Sequence, residues 1–358
     1  MTKRKLNLIL EIPSDNDEFE FTDSDSDLLE TSDSEIEEIF TPDIGSIEEI
    51  DDLIKIGEKW GKFYSNKRKK PKSQYSKIYD ILENLYELNS LVGMQVLKKN
   101  ILNQILFFIQ DLHGNEMMHT VLYGEPGSGK TSVGKILCKI YKNLGILSKG
   151  TYRIADRSDF VAQYLGQTSN KTKKLLKSCI GGVLFIDEAY SLGSQREDDN
   201  DSYSKAALDV LNQFLSENIK DFICIIAGYE KSLQKCFFSK NPGLNRRFPW
   251  RFKMDKYNSS ELFDILLYCI KQEGWKTKFD KKDIINKIDS KIFHENGGDC
   301  KILFDRCKIE HSKRIFLIKN NNDLKFIINQ QDFEKGLHSF LTEKTKNKNE
   351  PPPLGIYI

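Results

Sequence analysis

The chain has 358 residues, 30% of them charged and 39% hydrophobic, enough for two or three domains with a sizeable buried core. Its formal net charge of +1 conceals a segregation: residues 1–54 hold 3 basic and 18 acidic side chains, a balance of −15, against +16 for the remainder. No apolar stretch approaches bilayer length, and Leu6–Ile12 is too short and too soon acidic for a secretory signal, which excludes a membrane-spanning chain and points to a soluble, intracellular protein, cytoplasmic or nuclear.

From Glu11 to Ile54 there is no lysine or arginine, and runs such as Thr22-Asp23-Ser24-Asp25-Ser26-Asp27 cannot bury enough apolar surface to offset chain entropy. Residues 1–65 therefore read as a disordered acidic arm. Its acid-flanked Ser24, Ser26, Ser32 and Ser34 suit an acidophilic kinase, and a plain solubilising tail is the competing reading. Residues 66–78 read as a basic linker, with Asn66-Lys67-Arg68-Lys69-Lys70-Pro71-Lys72 readable as a nuclear localisation signal, a nucleic-acid contact, a partner for the acidic arm or, first of all, a solvated spacer. Two helices are expected between Tyr79 and Leu112, broken near Asn89–Gly93. Strand-like runs at 119–123, 151–155, 182–187 and 222–227 then alternate with helical segments near 130–144, 158–178 and 202–218. Several of these strands are apolar on both faces, which predicts an α/β fold with a parallel sheet sandwiched by helices over 79–256. Beyond Trp250 the pattern turns helical, at 259–273, 281–292, 299–318 and 331–342, predicting a small all-helical domain over 257–343 and a flexible tail over 344–358. The 7 cysteines stand singly, without the CxxC pairs of a zinc site, as in a reducing compartment.

Chemistry concentrates at Gly124-Glu125-Pro126-Gly127-Ser128-Gly129-Lys130-Thr131, a phosphate-binding loop between a β-rich run and a helix. Glycines let backbone N–H groups turn inward around phosphates, and the following helix points its positive end at the same oxygens. Lys130 would reach the β and γ phosphates, and the Thr131 hydroxyl would ligate Mg²⁺. Val183-Leu184-Phe185-Ile186 ends in Asp187-Glu188, placing Asp187 to hold the ion and Glu188 to orient or deprotonate the attacking water. A solvent-facing carboxylate pair is the blander reading, and it leaves the loop without a magnesium partner.

With that order read, residues 87 to about 318 resemble an AAA+ ATPase of the CbbX/CfxQ family, whose best-known members are red-type Rubisco activases. The resemblance is carried by Leu91-Val92-Gly93-Met94, Gly181 to Tyr190, Ile225-Ile226-Ala227-Gly228-Tyr229 and Asn241-Pro242-Gly243-Leu244. It implies ATP and Mg²⁺ as ligands, with Val92, Gly93 and Lys301 adding to the nucleotide site. It further implies a homo-oligomeric, hexameric ring and a client protein gripped by a first pore loop, Tyr164-Leu165-Gly166. Arg247 aligns with the arginine such ATPases insert into a neighbour's site, with Arg246 as the adjacent candidate. The sequence departs from the wider pattern in having Lys301 where a lid arginine is common, Tyr229 at the first sensor position, and Ser204-Lys205-Ala206-Ala207 in a segment that often carries an acid. Two other classes fit less well. A nucleic-acid-acting ATPase draws on the +16 balance, although the lysines are dispersed; an ATP-gated scaffold with little turnover draws on Lys301.

Overall fold

The computed structural model describes residues 40–67, 71–114, 116–164, 166–193, 202–279, 281–316, 318 and 324–349. The acidic stretch before residue 40 with its four serines, Arg68–Lys70 of the basic linker, Leu165 and the proline-rich end lie outside the described residues.

Four helices come first: α1 Ile50–Phe63, α2 Gln74–Asp80, α3 Leu82–Asn89 and α4 Gln95–Ile109. The helix α1 corrects the expectation of an arm without order through residue 65. Ile50, Leu53, Ile54, Gly57 and Trp60 recur at helical spacing and are buried, while Asp51 and Asp52 fall in the first turn, where the backbone dipole favours acids. Its acidity thus reflects a helix start as well as solvation. Trp60 anchors the layer, its ring centroid 5.2 Å from that of Tyr79. Trp60→Ala is expected to lower unfolding free energy by about 3 kcal/mol in urea titration; an unchanged midpoint would mean that α1 is not part of the cooperative fold.

The central sheet is wholly parallel: β1 Thr120–Tyr123, β2 Tyr152–Ala155, β3 Val183–Ile186, β4 Ile223–Gly228 and β5 Trp250–Lys253, in the order β2-β3-β4-β1-β5. Position explains composition. The inner strands β1, β3 and β4 are buried at every residue, whereas the edge strands β2 and β5 are partly exposed. Strand β5 is absent from the sequence reading because Arg251 and Lys253 on its open face break the apolar run. One sheet face, with Val121, Leu184, Ile186, Cys224 and Ile226, packs under α7 (Thr168–Ser178), α8 (Ser202–Glu217) and the segment from Leu233 to Phe248. The opposite face receives α5 (Lys130–Asn143) and α4, with Tyr152 and Phe185 5.8 Å apart and Phe108 5.9 Å from Trp250. The helix expected over 158–178 is interrupted: α6 (Arg157–Phe160) ends at Phe160 and α7 begins at Thr168, leaving a loop between them. Two short helices, α9 (Glu230–Ser232) and α10 (Pro242–Arg247), complete this domain, the second started by Asn241 and Pro242 at its N-terminus.

The second domain holds α11 (Ser259–Gln272), β6 (Lys276–Lys278), α12 (Lys281–Ile285), α13 (Gly297–Ile315), β7 (Ile327–Asn329) and α14 (Gln330–Asn349). It is not all helical, since β6 and β7 pair in parallel. Strands of three residues are too short to show a period. The helix expected over 281–292 stops at Ile285, and α14 continues past Lys344 into the range expected to be a flexible tail. Asp332 ties these pieces together, accepting from Arg314 through both carboxylate oxygens at 2.8 Å and from the Asn329 N–H at 3.1 Å. Among the described residues no helix is long and apolar enough to cross a membrane. All 7 cysteines are free thiols, 6 of them buried.

Candidate ATP site

The phosphate loop leaves β1 at Gly124 and enters α5 at Lys130, at the carboxyl end of the sheet's inner strands. Gly127 and Gly129 have φ of +64° and +91°, values that L side chains rarely adopt. Lys130 is buried and folds back on the loop, donating to the carbonyls of Gly124 at 3.1 Å and Glu125 at 2.9 Å. Burial lowers its pKa, and the negative charges of Glu188, Asp187 and Glu125 oppose that. The ammonium therefore already stands in the field of the carboxylate pair. Tyr152 donates to the Thr131 carbonyl at 3.4 Å, and Tyr257 to that of Ser128 at 3.1 Å.

The pair itself sits at the end of β3. The Asp187 carboxylate accepts from the Glu188 N–H at 3.0 Å, and Glu188 takes a left-handed φ of +48°. Glu188 Oε2 is buried without a hydrogen-bond partner, and burial raises the carboxyl pKa above 4.5 despite the attraction of Lys130. An orphaned acceptor at such a point suits water or a bound ligand. The Thr131 hydroxyl and the Asp187 carboxylate are hard oxygen donors of the kind Mg²⁺ takes. Tyr229 follows β4, its ring 6.0 Å from Tyr190, and feels the charges of Glu188 and Glu125. It shares a cavity of about 450 Å³ with Gly124, Glu125, Ser128 and Asn296.

A second cavity of about 560 Å³ lies on the other side of the loop, lined by Val92, Met94, Gly129, Tyr257, Ile265 and Gly297. Here the structure brings in residues that the sequence reading missed. Lys98, buried in α4, donates to the carbonyls of Asn89 at 2.9 Å and Leu91 at 2.7 Å, fixing the turn that presents Val92. Gly93 has φ of +63°, and a Cβ there would lie 2.6 Å from the Glu261 carboxylate, which caps α11. The lid closes on the loop at Glu295–Gly297: Asn296 Nδ2 donates to the Pro126 carbonyl at 3.2 Å and the Gly297 N–H to that of Gly127 at 3.1 Å. Asn296 and Gly297 have no local motif, because they act on Pro126 and Gly127 across a long sequence separation. A Cβ at Gly127 would lie 2.0 Å from the Glu295 carbonyl. Gly127→Ala is therefore expected to weaken ATP binding by about tenfold or more through backbone strain, measured with a fluorescent nucleotide on protein whose circular dichroism is unchanged.

The remaining candidates are dispersed. Lys301 is exposed on α13, one turn beyond the Gly297 contact. Arg247, half-buried at the end of α10, donates to Ser216 Oγ at 2.7 Å and the Gly243 carbonyl at 2.6 Å, and Arg246 is exposed. Tyr164 is 68% exposed in the loop between α6 and α7, and Gly166 has φ of +81°. Ser204, the first residue of the segment Ser204-Lys205-Ala206-Ala207, is buried and accepts from Arg157 at 2.5 Å.

A phosphate loop and a strand-end carboxylate pair on a parallel sheet of this order, with a lid resting on the loop, define a P-loop ATPase. Residues 120–248 match the model of the ATPase family associated with various cellular activities (AAA). The chain is 35% identical over 84% of its length to the putative cfxQ-like protein R730 of Acanthamoeba polyphaga mimivirus, covering 74% of that protein. It is 30% identical over 70% of its length to the chloroplastic ribulose bisphosphate carboxylase/oxygenase activase of Cyanidioschyzon merolae, covering 88% of it. The fold matches the crystal structure of the FIGL-1 AAA domain in complex with ADP, with a TM-score of 0.51 at 17% identity over 72% of this chain and 89% of that one. The chain belongs to the CfxQ/CbbX group of AAA ATPases, and it is an ATP hydrolase.

Proposed function

We propose that the chain hydrolyses ATP between the subunits of a hexameric ring and uses the hydrolysis to remodel a client polypeptide. Lys130 binds the β and γ phosphates, Glu188 orients and deprotonates the attacking water, and Arg247 from a neighbouring subunit meets the charge that grows on the γ phosphate. Thr131 and Asp187 would hold Mg²⁺, whose charge screens the phosphates when bound. Tyr229, whose hydroxyl feels the charge of Glu188, would help to orient the attacking water.

The observation that carries the remodelling step is the loop bearing Tyr164. Its stem is braced by Lys171, which donates to the carbonyls of Ser158 at 2.6 Å and Val161 at 2.9 Å, and by Thr168 Oγ1, which accepts from the Ala162 N–H at 3.1 Å. An exposed aromatic on a braced stem that adjoins the ATPase sheet is suited to grip a chain and transmit force. The chemistry favours an unfolded polypeptide and names no single client. Tyr164→Ala is expected to keep basal turnover within about twofold, as substitutions away from the chemistry do, and to lose ATP-dependent capture of an unfolded model polypeptide by the ring. Capture equal to the wild type would remove Tyr164 from that role, and salt-sensitive stimulation by DNA or RNA alone would favour the nucleic-acid reading instead.

A further inference from the structure

We propose that Lys344, on the last helix, is a positioning residue for the nucleotide site: it neutralises the buried Asp299 carboxylate and so holds the Glu295–Gly298 turn against the phosphate loop. The proposal rests on nucleotide occupying that loop. The Asp299 side chain is 0% exposed, and its Oδ1 lies 2.6 Å from Lys344 Nζ. Its Oδ2 accepts from the Glu295 N–H at 2.9 Å. Asp299 thus fastens the start of the turn to the first turn of α13, where the helix dipole also favours an acid.

This turn is the part of the lid that touches the loop, through Asn296 to the Pro126 carbonyl and Gly297 to the Gly127 carbonyl. It is also strained, because Asn296 has φ of +47° and ψ of −113°, a conformation that persists only when its surroundings impose it. Phe340, one turn before Lys344, stacks 5.1 Å from Phe293 and seats α14 against the same segment. Removing the ammonium leaves a buried carboxylate without its countercharge. Asp299 must then draw water or rotate, and either movement releases the Glu295 N–H and frees Asn296 to relax off the loop.

The test is nucleotide affinity of the full chain, read with a fluorescent ATP analogue far below the unfolding temperature. Lys344→Met is expected to weaken binding by about tenfold, and Lys344→Arg to restore it to within about twofold because the charge returns. Asp299→Asn removes the charge that needs neutralising, so adding Lys344→Met to it should produce no further loss. Should Lys344→Met fold poorly, Lys344→Gln keeps the polar stem and carries the same expectation. A lowered melting temperature with wild-type affinity in these variants would overturn the proposal, since the pair would then only stabilise the lid. Failure of the wild type to bind the analogue would instead count against the nucleotide site itself.

Discussion

Glu188→Gln is expected to bind ATP about as tightly as the wild type while turnover falls by roughly 10² to 10⁴, the range a positioned general base contributes. The substitution is nearly isosteric, and the Glu188 backbone N–H that binds Asp187 is untouched. The magnesium ligands proposed at Thr131 and Asp187 also remain. What disappears is a carboxylate whose buried oxygen has no hydrogen-bond partner among the described residues. Its raised pKa fixes the sign of the pH response. A base must be ionised to act, so kcat/KM of the wild type should fall on the acid side at a higher pH than an ordinary glutamate would give. Turnover that survives in Glu188→Gln would place the base elsewhere, Asp187 and Tyr229 being two other acidic groups that interact electrostatically with Glu188.

Arg247→Ala is expected to reduce turnover of the assembled protein by roughly 10³ to 10⁵, the range for an arginine that meets transition-state charge. Within one chain the guanidinium is held by Ser216 Oγ and the Gly243 carbonyl, two neutral acceptors. Neutral acceptors attract it less than a phosphate would, so transfer to a neighbour's γ phosphate would exchange hydrogen bonds to neutral groups for an ion pair. Arg246, beside it and exposed, is the control. Arg246→Ala should leave turnover within about tenfold, since an exposed charge is worth little, and the reverse order of effects would transfer the role to Arg246.

The elements that carry the candidate site were legible where they are written contiguously. Thr120 to Thr131 and Val183 to Glu188 each combine a strand with the candidate residues that follow it, and the inner-strand positions of β1 and β3 follow from their being apolar on both faces. The edge strand β5 was not legible, because Arg251 and Lys253 face outward and mask the alternation of Trp250 and Phe252. The helix α1 was hidden for a related reason: its acids were weighed as a solvated tail, though Ile50, Leu53, Ile54 and Trp60 recur at helical spacing. Lys98, Glu261 and Asn296 shape the nucleotide cavity from remote sequence positions, with hydrogen bonds to backbone carbonyls and close contacts with glycines that no spacing announces.

Mixing two inactive variants shows whether a neighbouring subunit completes each site, as proposed. Glu188→Gln subunits lack the base but carry Arg247; Arg247→Ala subunits lack the arginine but carry Glu188. ATP turnover measured after co-assembly should rise well above that of either variant alone, because some interfaces then join an intact Glu188 to an intact Arg247. Mixed assemblies that remain as inactive as the separate variants would contradict catalysis across the subunit boundary.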